Sequence, residues 1–463
     1  MILTGRIPRL VHFNLFVDSV MVEFRNYSVV QSFCRRLVAA LAAAGLVGCG
    51  QSDPPAFRLD MPKVVANGIA PQHQRAIANI LGAMFGTPDN PFALPETGLD
   101  QRKLATAAGP VWSDAEGGKH GLYRRHCAHC HGISGDGLGP TAAILNPYPR
   151  DYRSGVFKFK STYTAGQPTD DDLRRILHDG IPSTAMPSFA LLPPDEIAAL
   201  IEYVKYLSMR GQMETALVNY VFDEGFEPEV PLDPAADPEL KDIIMNDLMA
   251  GVMEGWGAAG EQVILPEDSA IPPDDRTPEQ IAESAAKGRE LFYGATKGNC
   301  VKCHGPTGLG DGQQDDYDNW NKANVQFIDD TKSLVGEVQD LKQNLSNLAG
   351  EEREAAELEL KQKSQELADR RKLIAHMLTP RNAIPRNLRD GSYRGGRRPL
   401  DIFWRVSAGI AGTPMPASGP ASEGAQGTLT QEEIWQIVDY VHSLPFERVN
   451  QPQRRPVNVE TVN

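Results

Sequence analysis

Two copies of one short pattern constrain this chain more than anything else in it. Cys127-Ala128-His129-Cys130-His131 and Cys300-Val301-Lys302-Cys303-His304 each place cysteines at i and i+3, with a histidine immediately after. One helical turn sets both thiols on one face, where they can bond the two vinyl groups of a haem. The next residue brings its imidazole under the iron as proximal ligand. The surroundings repeat as well. Gly180 to Pro187 lies over Gly409 to Pro416 without a gap, so Met186 and Met415 hold the same place in a Gly-x5-Met-Pro loop. Ile197 to Leu207 lies over Ile434 to Leu444 in the same way. An internal repeat of this kind marks two copies of one structural unit.

The cysteine inventory narrows the chemistry. Of the six cysteines, four lie in the two patterns, and Cys34 and Cys49 lie upstream, so no even set is left for a disulfide framework. Two Cys-x-x-Cys pairs also satisfy the ligand count of one four-thiolate zinc site. The histidine trailing each pair and the two methionine loops argue against that reading. A thioredoxin-like redox motif needs a βαβ context, and the sequence has none. A net charge of −14 argues against nucleic acid as a partner, because phosphate binding needs a basic surface. The acidic balance leaves two readings open, steering toward basic partners and simple solubility. At 463 residues, 41% hydrophobic and 23% charged, the chain reads as a soluble globular protein of two or three domains.

Residues 1–49 read as an export signal. Arg35-Arg36 form a short basic region, and the apolar run Leu37 to Val47 is well short of the about 20 residues a spanning helix needs. Leu46-Val47-Gly48-Cys49 resembles the bacterial lipoprotein signal, in which the cysteine becomes the lipidated first residue. An ordinary cleaved signal and an uncleaved short anchor are the alternatives, and the stretch before Met21, unusually long for a signal, leaves translation from Met21 open beside Met1. Acyl chains on Cys49 would hold the protein on the periplasmic, outer face of a bacterial cell membrane.

Residues 50–113 read as a tether and an N-terminal extension, with helical periodicity from Gln72 to Phe85. The first haem domain takes residues 114–210. It holds a leading helix from Gly118 to His126, a glycine-rich turn from Gly132 to Pro140, a helix from Asp171 to Asp179, the Met186 loop and a closing helix from Pro194 to Ser208. Ile197, Leu200, Ile201, Val204 and Leu207 give that last helix its apolar face. Residues 211–276 form a proline-rich, semi-ordered connector with one helix from Pro238 to Glu254.

The second domain takes residues 277–446 and starts on a capped helix at Thr277-Pro278-Glu279-Gln280. Its stretch from histidine to methionine is about twice as long as in the first copy, and the excess falls at about 330–378. Leu334, Val338, Leu341, Leu345 and Leu348, then Leu360, Leu367 and Ile374 beyond Gly350, predict an antiparallel helical hairpin protruding from the domain. A docking arm and a solvated decoration both fit it. The second is favoured, because charge on such a face usually only solvates it. Residues 447–463 read as a C-terminal tail.

On these motifs the chain resembles a fusion of two class I cytochrome c domains. The resemblance implies an all-α fold, with two small helical domains in which an N-terminal and a C-terminal helix cross at the haem edge. It implies two covalently attached haem c groups. Cys127 and Cys130 would hold one through thioethers, with His131 and Met186 as axial ligands. Cys300 and Cys303 would hold the other, with His304 and Met415. Met209, Met213 and Met377 are rival sulfurs. His126 and His129 are expected to face solvent or the haem rim, and His178, His376 and His442 to be ordinary helical residues. Arg150 and Arg386, each in a Pro-Arg pair, read equally as partners of haem propionates and as surface arginines. Pro140 stands where the family often offers a carbonyl to the histidine ring, but Gln313 occupies that offset in the second copy, which leaves its partner open.

An iron closed on both sides by protein shuttles electrons and does not activate a substrate, and a thioether opposite imidazole raises its potential. The expected function is a relay of single electrons between membrane-associated partners in respiration, such as a quinol-oxidising complex, a terminal oxidase or a dehydrogenase. A haem c subunit of a periplasmic substrate dehydrogenase is the main alternative. A di-haem peroxidase is the lesser one, since it needs an open iron position.

Overall fold

The computed structural model describes residues 54–420 and 428–447. The export-signal reading with Cys34 and Cys49, and the tail from 448, lie outside the described residues. Those described are mostly helical, with one two-stranded ribbon in which Trp112–Ser113 pairs antiparallel to Lys119–His120. No described helix is long and apolar enough to cross a membrane.

The first core is built along one helix, Pro194–Asp223. The expected stripe of Ile197, Leu200, Ile201, Val204 and Leu207 is buried. The helix does not stop at Ser208, however, and runs about four turns further. Gly211 had marked the start of the connector. It is instead a point of close approach, where a Cβ would lie 2.2 Å from Arg153 Cα. Past it, Met213, Leu217, Val218 and Val221 continue the apolar face, each fully buried side chain contributing about 2 kcal/mol.

The N-terminal extension belongs to this same core. Pro71–Phe85 and a helix not expected from the sequence, Gln101–Ala107, both pack on the long helix. The Glu214 carboxylate, paired with Arg210 at 3.1 Å, accepts from the Asp60 N–H and so pins the chain there. The leading helix from Gly118 is a further correction. The ribbon takes Lys119 and His120, and the helix begins only at Leu122, after Gly121 at φ 70°.

The connector is more ordered than a bridge. Pro238–Asp242, a π-helical stretch Ile243–Met249 and Ala250–Gly257 run on from one another. Leu240, Ile244, Met249 and Trp256 are buried in the first core, and Ile264 in the second.

In the second domain Pro278–Tyr293 crosses Gln431–Ser443. Both helices start on a reciprocal cap. Thr277 Oγ accepts from the Gln280 N–H while Gln280 Oε1 accepts from the Thr277 N–H, and Thr430 with Glu433 repeats the device. The hairpin is present as Asn319–Asn344 and Gly350–His376, starting earlier than the leucine repeat suggested because Asp318 caps it. Its seam is thin, with Leu334, Val338 and Leu367 buried. It does not simply protrude, since its second helix touches Met61–Ala66 of the N-terminal segment.

The two haem-type regions meet along a polar seam. Lys158 Nζ pairs with Asp318 Oδ2 at 2.9 Å. The Tyr148 hydroxyl donates to the Thr379 carbonyl at 3.1 Å, and the Arg381 guanidinium lies 3.9 Å over the Tyr148 ring.

Candidate functional site

Both cysteine motifs fold as expected. Ala128–His131 and Val301–His304 are single helical turns, and the N–H of each histidine donates to the carbonyl of the first cysteine at 2.9 Å. The four thiols are unbridged. Among the described residues no group of three or more His, Cys, Asp or Glu side chains converges to hold a metal ion.

The histidines are prepared alike. His131 Nδ1–H donates to the Arg150 carbonyl at 2.9 Å, and His304 Nδ1–H to the Arg386 carbonyl at 3.2 Å. Such a bond fixes the tautomer and leaves Nε2 with its lone pair, as an iron ligand requires. Burial pushes the His131 imidazole down to about 4, against the pull of that carbonyl, and lowers His304 in the same way. Burial also raises the Cys127 and Cys300 thiols to about 12. The Tyr152 ring stacks on His131, with centroids 4.5 Å apart.

The Pro-Arg pairs therefore act first through their backbone. Pro140 is not the partner of His131, and Gln313 deprives His304 of nothing. His126 lines the cavity described below with its Nε2 buried and unpartnered, and His129 is exposed there. His178, His376 and His442 are engaged elsewhere, with Asp179, Lys372 and Arg397 respectively. Met209 and Met213 are locked in the first core.

The methionine loops are twins. Gly180 and Gly409 sit at φ 69° and 70°, and a Cβ on either would lie 2.6 Å from the carbonyl carbon of the proline in the methionine-proline pair. The Ile181 N–H donates to the Met186 carbonyl and the Ile410 N–H to the Met415 carbonyl, both at 3.1 Å. Inside each loop a threonine ties the turn, which the sequence reading missed. Thr184 Oγ1 donates to the Ile181 carbonyl at 2.8 Å and accepts from the Met186 N–H at 3.1 Å. Thr413 does the same with Ile410 and Met415. Its identical offset in the two copies was the available signal. Thr184→Val should cost about 1–2 kcal/mol in a denaturant titration, with Thr184→Ser recovering most of it.

All these groups open on one cavity of about 1260 Å³. Cys127, Cys130, His131 and Met186 line it together with Cys300, Cys303, His304 and Met415. That exceeds the roughly 300–1,000 Å³ of an ordinary small-molecule pocket. Its lining includes apolar walls from Leu200, Val204, Ile402 and Val406 and cations among which are Arg150, Lys158, Arg386 and Arg394. Paired thiols beside a neutral imidazole, facing a methionine loop in a largely apolar cavity, fit haem c at each motif.

Comparison with known proteins agrees with this geometry. The cytochrome c family pattern matches residues 115–208 and 285–445, more than half of the chain. No curated protein matches it. Among solved structures it is similar to the Kuenenia stuttgartiensis reducing HAO-like protein complex, at 21% identity over 70% of this chain and 94% of that one, with a TM-score of 0.39. Each family segment contains one cysteine motif and one methionine loop and ends in a closing helix that in the first copy runs on past it, and the chain belongs to the cytochrome c family, the haem c electron-transfer proteins.

Proposed function

We propose that this cytochrome carries two haem c groups and relays single electrons between two redox protein partners. Haem supplies one-electron iron chemistry, and the residues set how it is used. Cys127 and Cys130 anchor one group and Cys300 and Cys303 the other. His131 and Met186 would hold the first iron, and His304 and Met415 the second. The Arg150 and Arg386 carbonyls hold the two imidazoles in the ligating tautomer. Leu200, Val204, Ile402 and Val406 keep water away and favour the less charged, reduced state.

The observation that carries the relay is the shared cavity, since both motifs face the same space. An electron entering at one domain then needs no solvent-exposed transfer to reach the other. We further propose that Cys49 is lipidated and keeps the protein on the outer face of the membrane, within reach of partners such as a quinol-oxidising complex or a terminal oxidase. The Leu46-Val47-Gly48-Cys49 sequence supports this.

Ligand closure is tested by spectroscopy. The oxidised protein should show the weak far-red band of thioether ligation and no response to cyanide or peroxide. Met186→Ala should lose roughly half of that band and bind cyanide at one haem only. Cyanide binding by the unaltered protein would contradict closure and favour a peroxidase.

A further inference from the structure

The cavity holds more positive charge than its own carboxylates satisfy. Arg150, Lys158, Arg386 and Arg394 all line it. Of the lining acids, Asp151 is held by Arg153 at 2.8 Å and Asp316 by Lys322 at 3.1 Å. Of them only Asp318 forms an ion pair within this group, with Lys158 at 2.9 Å. Arg386 donates to Ser183 Oγ of the first methionine loop at 2.7 Å and lies 3.5 Å from Asp390. Arg394 has a buried Nε with no hydrogen-bond partner. The Arg150 guanidinium is lowered from its ordinary value by burial, and Asp318 and Asp151 offset this only through their charge. Lys158 is likewise lowered, first by burial and then by Arg150. Cations left in such a place are costly until an anion arrives.

We propose that Arg150 and Lys158 from the first domain and Arg386 and Arg394 from the second form one cluster around Asp318 that receives the propionates of both haems. The proposal rests on the two-haem reading above. Each haem c brings two carboxylates, and the cluster offers four cations against Asp318 inside it and Asp390 beside Arg386. Bidentate arginine contacts suit carboxylates well. Because the cluster is common property, a change of charge in it is felt at both irons, through a seam where water screens little.

The test uses the mature holoprotein, with its haem content measured first, in a spectroscopically followed redox titration. Arg394→Gln removes a positive charge and should lower both midpoint potentials, since the oxidised sites are then less opposed. Asp318→Asn removes the negative charge and should raise both, and asparagine can still accept from the Asn321 N–H to cap the hairpin helix. Opposite shifts in the two variants, each seen at both haems, support the shared cluster. A shift confined to one haem, shifts of the same sign, or none would overturn it. Should Arg394→Gln fail to mature, Asp318→Asn decides the matter alone by whether one or both midpoints rise. One haem per unaltered chain would strike the two-haem reading instead, and that result appears before any titration is run.

Discussion

Gly288→Val is expected to unfold the second domain while leaving the first standing. A Cβ at position 288 would lie 1.9 Å from the Gln436 carbonyl oxygen, at the crossing of Pro278–Tyr293 with Gln431–Ser443. The atom it meets is backbone, so no rotamer change relieves the clash. The helices must separate, and Phe292, Ile437 and Tyr440 lose their packing. Overpacking of a tight core costs about 1–3 kcal/mol, and a backbone clash at a helix crossing belongs at or above the top of that range. The apolar cores of the two domains are distinct, so thermal unfolding followed by circular dichroism should split into two steps. A single transition at the unaltered temperature would contradict the crossing as described.

The second large effect is chemical. Cys300→Ala together with Cys303→Ala should leave one haem per chain, halving the absorbance of the alkaline pyridine complex. The first motif sits on its own core and keeps its own histidine carbonyl, so its haem should be retained. The mirror variant, Cys127→Ala with Cys130→Ala, should leave the second haem in place. Loss of both haems from either variant would mean that the motifs mature only as a unit.

Much of this site was legible because its chemistry is local and stated twice. Two thiols and an imidazole must fall on one turn, so Cys127 to His131 and Cys300 to His304 announce themselves. The loop around Met186 gained meaning from its twin around Met415. What escaped was carried by backbone or by contacts distant in sequence. The carbonyls of Arg150 and Arg386 hold the histidines, and any residue has a carbonyl, so neither Pro140 nor Gln313 was informative. Gly211, the first residue of the expected connector, instead makes room for Arg153 inside the long helix. The two motifs share one cavity, and the contacts between their regions, Lys158 with Asp318 and Tyr148 with Arg381, join residues distant in sequence. No local periodicity encodes such pairings.

The same distinction separates the two halves of the N-terminal region. Periodicity found the helix ending at Phe85, whose length is enough to display an apolar face. It missed Gln101–Ala107, too short to show one, although Leu104 and Ala107 are fully buried against the long helix. The broken lead into the first cysteine motif had no pattern either, since two-residue strands carry no alternation.

The central claim is that each motif bonds its own haem. Intact-mass measurement of the mature chain, expressed with its maturation machinery, addresses it most directly. The mature chain should exceed the mass of the bare polypeptide by two haem groups, a gain that persists under denaturing conditions. A mass higher by only one haem, or by none, would contradict it.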